Sequence, residues 1–507
     1  MSAVFAQPPT GTVRSWLDDR ANEHGDAISH CFLEEKPLTW AMLRAQAADL
    51  AGRLSGMGLG KGDSIALMLP NSRQGVLCLF AVLYGGFRAA IINLVAGAEA
   101  MGYALSHSDA VVVLVGQDQV DLLDAAAAAH PVKARRICVG ADILFPDGAV
   151  AAPLCDLLAQ DDAVLMYTSG TTGRPKGVLH THASLLAGGW TTAIAHELSP
   201  SDRALCVLPI YHINGLCVTI MAPLVSAGSV MVCAKFSASR FWAICAEQKI
   251  TWFSVVPTII SHLLHGKKDP DAATCARIRF GRSASSPLAV ETQNAFETRF
   301  GIPIVETMGL TETAAQILSN PLPPGRRKIG SPGVAYGNEV AILGDDLAPL
   351  PPDTEGEIAV RGPNVMREYY KNPEATEATF TPAGWLRTGD LGTMDAEGYV
   401  FVTGRLKELI IKGGENIAPR EVDEALYAHP DVVEAAAFAR PCKSYGERVE
   451  AAVKLRDGAT VMQNDLIALC QQRLGKFKCP DVVHILDDLP KGPSGKIQRL
   501  RLAEMTA

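Results

Sequence analysis

Short apolar runs rich in β-branched residues alternate with longer helical stretches along most of the chain, and this alternation limits the fold more than any other feature. Strands separated by helices pair in parallel, because a parallel crossover needs room for a helix. Strand-like runs fall at 64–69, 110–115, 229–233, 252–256 and 303–306, and helix-like stretches at 40–57 and 74–85. The run of alanines at 125–129 reads as helix, the state alanine favours most. No internal repeat is visible. The expected class is α/β with largely parallel sheets.

The texture changes near Gly356. GEIAVRG and YVFVTGR read as strands separated by turns, a small β-rich subdomain. A boundary falls around 404–407, and a compact segment of ordinary domain size, about 100 residues, follows. The expected division is therefore 1–403 and 404–507. At 507 residues, the chain is too long for one ordinary core.

Hydrophobic residues make up 48% and charged residues 20%, a globular balance that excludes a disordered chain. The net charge of -8 and the lack of Lys/Arg-rich runs argue against nucleic-acid binding. From Gly404 onward there are 16 Lys and Arg against 15 Asp and Glu, so the acidic excess lies in the first 403 residues. Twelve cysteines without a Cys-x-x-Cys pair predict neither a disulfide framework nor a metal site. The first 20 residues lack the apolar core of a signal peptide, so the expected location is cytoplasmic. Residues 204–234 contain no Asp, Glu, Lys or Arg. Pro209, His212, Asn214, Gly215 and Pro223 break any spanning helix there, and a buried strand–loop–helix is expected.

The strongest local signal is YTSGTTGRPKGV, residues 167–178, which follows an apolar strand-like run at 163–166. It offers Gly170, Gly173 and Gly177, the hydroxyls of Thr168, Ser169, Thr171 and Thr172, and the cation Lys176. Glycines let backbone N–H groups approach phosphate oxygens, while hydroxyls and an ammonium add donors and charge. The spacing is not that of a Walker A loop. By composition alone, a flexible surface turn is an equal reading.

Six further motifs follow in order: LPIYHINGL at 208–216, MGLTE at 308–312, GEIAVRG at 356–362, GWLRTGD at 384–390, GRLKELIIKGGENI at 404–417 and PKGPSGK at 490–496. Together with the loop they resemble the acyl-adenylate-forming superfamily over nearly the whole chain. The resemblance implies a large N-terminal domain, a small mobile α+β C-terminal domain hinged near Lys407, and use of ATP, Mg²⁺ and coenzyme A. Thr311 resembles the threonine that touches the α-phosphate, and Glu312 the magnesium-binding glutamate. Asp390 resembles the acid that holds the ribose hydroxyls, and Arg405 the arginine that reaches ribose or phosphates. Lys496 matches the mobile catalytic lysine. Gly413 and Gly414 resemble residues lining the pantetheine tunnel, and His212 the residue that gates acyl site against tunnel.

Two departures stand out. Met308 occupies the place of an aromatic residue that stacks on adenine; its polarisable sulfur can still cover a ring face. SASSP at 283–287 replaces a Gly-Gly-Ala-Pro turn and adds hydroxyls beside the expected acyl pocket.

An amino-acid adenylation domain is disfavoured, because 208–216 has no aspartate to hold a substrate ammonium. A luciferase-type oxygenase lacks any luciferin-specific signature. An inactive nucleotide-binding regulator would lack Lys496, Glu312 or Asp390, and all three are present. The expected activity is an AMP-forming acid–CoA ligase. Residues 235–242, 279–288 and 302–333 resemble oxalate–CoA and carnitine–CoA ligase-like enzymes. His212, Asn214, Ser283 and Ser285 would supply donors to a second anionic group, since a buried anion needs hydrogen bonds. Oxalate-type relatives often carry His where Asn214 stands, so a sulfoacetate-like acid is the other expectation and a short- or medium-chain fatty acid the alternative. PKGPSGK resembles a lysine acetyltransferase target at Lys496. A homodimer is carried as one option.

Overall fold

The computed structural model describes residues 7–140, 150–168, 175–492 and 497–506. Two large sheets carry the expected parallel order. In the nine-stranded sheet, Ile28–Phe32, Ser229–Val232, Arg203–Cys206, Trp252–Val255, Phe280–Ser283 and Ile304–Leu310 lie side by side and parallel. In the seven-stranded sheet, Asp162–Thr168, Arg88–Ile91, Ser64–Met68, Ala110–Gly116 and Arg135–Val139 do the same. The β-rich region is a four-stranded antiparallel sheet of Glu339–Leu343, Gly356–Arg361, Leu386–Met394 and Val400–Arg405. A further five-stranded sheet begins at Ile410–Lys412 and organises the C-terminal region.

Predicted and observed bounds agree within a residue or two, with one instructive exception. The strand expected at 303–306 continues to Leu310, because Met308, Gly309 and Leu310 pair antiparallel with Leu318, Gln316 and Ala315. The first three residues of the MGLTE motif are therefore held in a ladder.

Helix Arg73–Gly85 starts where the Ser72 hydroxyl accepts from the Gly75 N–H at 3.0 Å and stops at Gly86 in the left-handed region. Helix His182–Ala195 is capped by Thr181 and buried nearly all round, as an almost wholly uncharged helix must be. It packs on the returning strand Ala315–Ser319, where Gln316 donates to the Thr191 carbonyl at 3.2 Å.

The uncharged stretch 204–234 is buried strand, π-helix, helix and strand, with the π-helix at Asn214–Met221. Among the described residues no helix is long and apolar enough to cross a membrane. All twelve cysteines are free.

The C-terminal region docks on the rest through polar contacts. Arg420 donates to the carbonyls of Val402 at 2.8 Å and Gly330 at 3.2 Å. Ser261 donates to the Val433 carbonyl at 3.1 Å, and Arg473 lies 3.6 Å from Glu291.

Candidate active site

A cleft opens where the nine-stranded sheet, the β-rich sheet and the C-terminal region meet. Met308, Asp390, Arg405, Arg420 and Arg499 are among the residues on its walls. The motifs converge here because the parallel strands of the large sheet end at this edge, where open α/β sheets bind ligands.

The strand Ile304–Leu310 leads into a single tight turn, Thr311–Thr313, and the chain returns as Ala315–Ser319. Ala314 and Ala315 both have positive φ, 45° and 83°. A β-carbon on Gly309 would lie 1.5 Å from the Ala315 carbonyl oxygen, so only glycine fits there. Strain of this kind persists where surrounding contacts over-determine it. Here the contacts are visible. His180 is fully buried and donates from Nε2 to the Thr311 carbonyl at 2.7 Å, while Nδ1 accepts from the Ser184 hydroxyl at 3.1 Å. Burial pushes the His180 imidazole down to about 4, so it is neutral at pH 7 and its tautomer is set by these partners.

Glu312 is held as firmly. The Tyr369 hydroxyl donates to its Oε1 at 2.7 Å, and the Met366 N–H to its backbone oxygen at 2.8 Å. Burial, then the Glu312 charge, raise the Tyr369 phenol, so it stays a donor. Lys176 Nζ lies 3.9 Å from the centre of the Tyr369 ring. Burial lowers the Lys176 ammonium, the Glu312 carboxylate offsets this, and Lys407 adds to the lowering. Lys176, Glu312, Tyr369 and Lys407 thus form one electrostatic cluster.

The expected phosphate loop springs from an antiparallel pair in which Thr168 faces Lys176. Ser169, Gly170, Thr171, Thr172 and Gly173 lie outside the described residues. Lys496 does too; of its described neighbours in sequence, Lys491 and Ile497 are bridged in antiparallel fashion, and Ile497 lines the cleft.

Asp390 and Arg405 face each other across neighbouring strands, with Arg405 Nε donating to Asp390 Oδ1 at 2.5 Å. Burial works against the Arg405 charge, but Asp390 overrides it and the guanidinium is held above its ordinary value. Gly413 and Gly414 form the exposed tip of a hairpin and both take positive φ, 61° and 87°. A β-carbon at Gly414 would meet nothing within 4 Å, so in this arrangement its freedom of φ, not crowding, explains the glycine.

The acyl end departs from expectation at one residue. Strand alternation puts Phe280 and Arg282 on one face and Gly281 and Ser283 on the other. Ser283 is fully buried on that opposite face and its hydroxyl has no partner among the described residues, so it does not join Ser285 as a donor. Asn214 and Ser285 do come together: Asn214 Nδ2 donates to Ser285 Oγ at 3.4 Å. Ser285 is exposed and takes φ 74°, a conformation that a glycine would adopt more easily. His212 is half-buried, its ring 4.9 Å from that of Tyr211, and its carbonyl accepts the Leu216 N–H at the start of the π-helix.

Behind Asn214 lies Arg282, 1% exposed. Its Nη1 donates to Asn214 Oδ1 at 3.0 Å and Ser254 Oγ at 3.1 Å, and its Nε to Gln316 Oε1 at 3.3 Å. Among the described residues it pairs with no carboxylate, and burial lowers its guanidinium to about 9. It remains a cation at pH 7. Sequence reasoning missed His180, Tyr369 and Arg282. The one available signal was an arginine inside an otherwise uncharged strand.

Residues 17–370 match the AMP-binding enzyme family, and residues 421–496 its C-terminal domain. The chain belongs to the AMP-binding enzyme family. It is an acid–thiol ligase of the AMP-forming type, with ATP and coenzyme A as co-substrates. Relatives of this ligase include the sulfoacetate–CoA ligase of Cupriavidus necator, 45% identical over 92% of each chain. The oxalate–CoA ligase of Arabidopsis thaliana is 37% identical over 97% of this chain and 98% of its own. Among solved structures, ATP-bound MatB from Rhodopseudomonas palustris superposes with a TM-score of 0.89 at 30% identity, covering 98% of this chain and 99% of that one.

Proposed function

We propose that this ligase activates a small acid bearing a second anionic group, of the sulfoacetate or oxalate kind. The carrying observation is the Asn214–Ser285 pair at the acyl end, polar groups set where a fatty acid would need apolar walls. The named activities of the sulfoacetate and oxalate ligases support the same reading. Asn214 favours the sulfoacetate-like member of the pair.

In the first half-reaction a carboxylate oxygen of the acid attacks the α-phosphorus of ATP, the bond to the bridging oxygen breaks, and pyrophosphate leaves. The loop at 167–178, with Lys176, holds the phosphates. Thr311 and Lys496 donate to the oxygens on which charge builds, an arrangement whose single donors are worth about 10²–10³-fold each. Asp390 and Arg405 hold the ribose, and Met308 covers the adenine. Glu312 fits magnesium. Among the described residues no cluster of three or more His, Cys, Asp or Glu could hold an ion alone. Magnesium needs none, because it takes one or two carboxylates and completes its shell with phosphate oxygens and water. When bound there, it would screen the phosphate charge.

In the second half-reaction the CoA sulfur attacks the acyl carbon, loses its proton, and AMP leaves. The 404–507 domain rotates about Lys407 on the 1–403 domain, withdrawing Lys496 and bringing Gly413 and Gly414 to the pantetheine path, with His212 as the gate. Acetylation of Lys496 removes its charge and stops adenylation; full turnover by quantitatively acetylated enzyme would refute that control. The enzyme works in the cytoplasm. A homodimer would show as twice the chain mass in light scattering.

The test of the substrate reading is pyrophosphate release over a panel of acids, with and without CoA. Release should be fastest with sulfoacetate or oxalate. A preference for butyrate or hexanoate would overturn the reading.

A further inference from the structure

The dianion reading leaves open what makes the pocket select negative charge. Asn214 is one of the groups expected to donate at the acyl end, and an amide is as good an acceptor as a donor. Its orientation therefore decides what it recognises.

That orientation is set from behind. The Asn214 oxygen receives two donors, the Ser254 hydroxyl and the Arg282 guanidinium. Both of its lone pairs are used. Turning the amide over would place its NH₂ against a guanidinium, which offers donors alone and cannot accept. The NH₂ is thus pinned facing Ser285, and that contact uses one of its two hydrogens. The second hydrogen is left for a ligand.

Arg282 also brings charge. A buried cation normally has a carboxylate partner, because an isolated one is expensive to desolvate. Among the described residues Arg282 has neutral partners only: Asn214, Ser254 and Gln316. These contacts engage Nε and Nη1 and none of them involves Nη2. The strand register explains its position. Arg282 sits between Ser254 and Val305 on neighbouring parallel strands, on the face toward the π-helix that carries Asn214. It is one layer behind the acyl end.

We infer that Arg282 is the residue that makes this ligase choose acids with a second anionic group, by locking the Asn214 amide with its donors outward and by supplying the positive charge that the distal carboxylate or sulfonate balances. It is a positioning residue: it acts through Asn214 and through its field. The inference rests on the dianion reading above.

The experiment compares kcat/KM for sulfoacetate and for propionate, which lacks the second charge, in wild-type enzyme, Arg282→Met, Arg282→Lys and Asn214→Asp. Arg282→Met should lower the sulfoacetate value by about 10- to 100-fold, the range for a charged hydrogen bond, and the propionate value by less than about threefold. The loss should fall on KM more than on kcat. Arg282→Lys should restore part of the preference. Asn214→Asp keeps the arginine but places a carboxylate against it, so it should abolish the preference even if Arg282→Met does not fold. Equal losses on both acids, in either variant that folds, would assign Arg282 a structural role and overturn the inference. A wild-type enzyme that prefers propionate would sink the dianion reading and this inference together. A wild-type preference for sulfoacetate that survives in Asn214→Asp would sink the inference alone.

Discussion

His180 donates from Nε2 to the carbonyl of Thr311 at 2.7 Å, across 131 residues of sequence. A buried neutral imidazole thereby holds the strained turn that presents Thr311 and Glu312. His180→Leu leaves that carbonyl without its donor and frees the turn. Displacement of a reacting group by about 1 Å can cost about 100-fold in rate. We expect a loss of this order in acyl-AMP formation, measured as acid-dependent ATP–pyrophosphate exchange. His180→Gln, whose amide can still donate, should retain more activity. Wild-type exchange in His180→Leu would refute the role.

Acid should destabilise this protein through its buried histidines. Burial lowers His180 and His182 to about 4 and His30 to about 3, against 6.5 when unfolded. The unfolded state therefore binds more protons between these values, so stability is fully present above pH 6.5 and falls as pH drops toward 4. His30 isolates the effect. It is packed near Phe32, Trp40 and Phe80, and neither ring nitrogen has a hydrogen-bond partner among the described residues. His30→Phe should raise the melting temperature and flatten its decline between pH 6.5 and 4. An unchanged slope would show that His30 does not contribute.

Met308 lines the cleft at the end of the strand that leads to Thr311. Met308→Tyr should improve stacking on the nucleotide base. Aromatic pairs gain about 0.5–1.5 kcal/mol beyond area burial, so KM for ATP should fall by about two- to tenfold. A rise in KM, with the acid's KM unmoved, would mean that adenine lies elsewhere.

Lys496→Ala should abolish acyl-AMP formation yet leave thioester formation from supplied acyl-AMP largely intact. Single-turnover assays of the two half-reactions separate these. Equal loss in both would remove the basis for assigning Lys496 to one of two arrangements.

The sequence was most informative where function and local pattern coincide. Asp390 and Arg405 stand in separate motifs, and the structure joins them as a cross-strand pair. Alternation of strands and helices carried the two parallel sheets. What stayed hidden was long-range. His180 and Thr311 are far apart in sequence, as are Tyr369 and Glu312, and each of His180 and Tyr369 reads locally as core. Arg282 lies within residues 279–288, and nothing nearby in sequence reveals that its partners are Asn214 and Gln316. Ser283 misled for a different reason: it is the neighbour of Arg282 in the strand, and alternation places its side chain on the face opposite Arg282.

The docking of the C-terminal region has a mechanical consequence. Arg420 and Ser261 grip backbone carbonyls, and Arg473 approaches Glu291 at the rim. Carbonyl clasps of this sort are exchanged for water at a net cost of about 1 kcal/mol apiece. Because the clasped atoms are main chain, side-chain substitutions at Val402 or Val433 leave the acceptor in place, whereas Gly330 takes φ 88°, where a side chain is strained. The joint is therefore tolerant of sequence drift at Val402 and Val433 and sensitive at Gly330, Arg420 and Ser261. On the domain rotation proposed above this joint must open, and a single mutation of a pin should change how often it opens unaided.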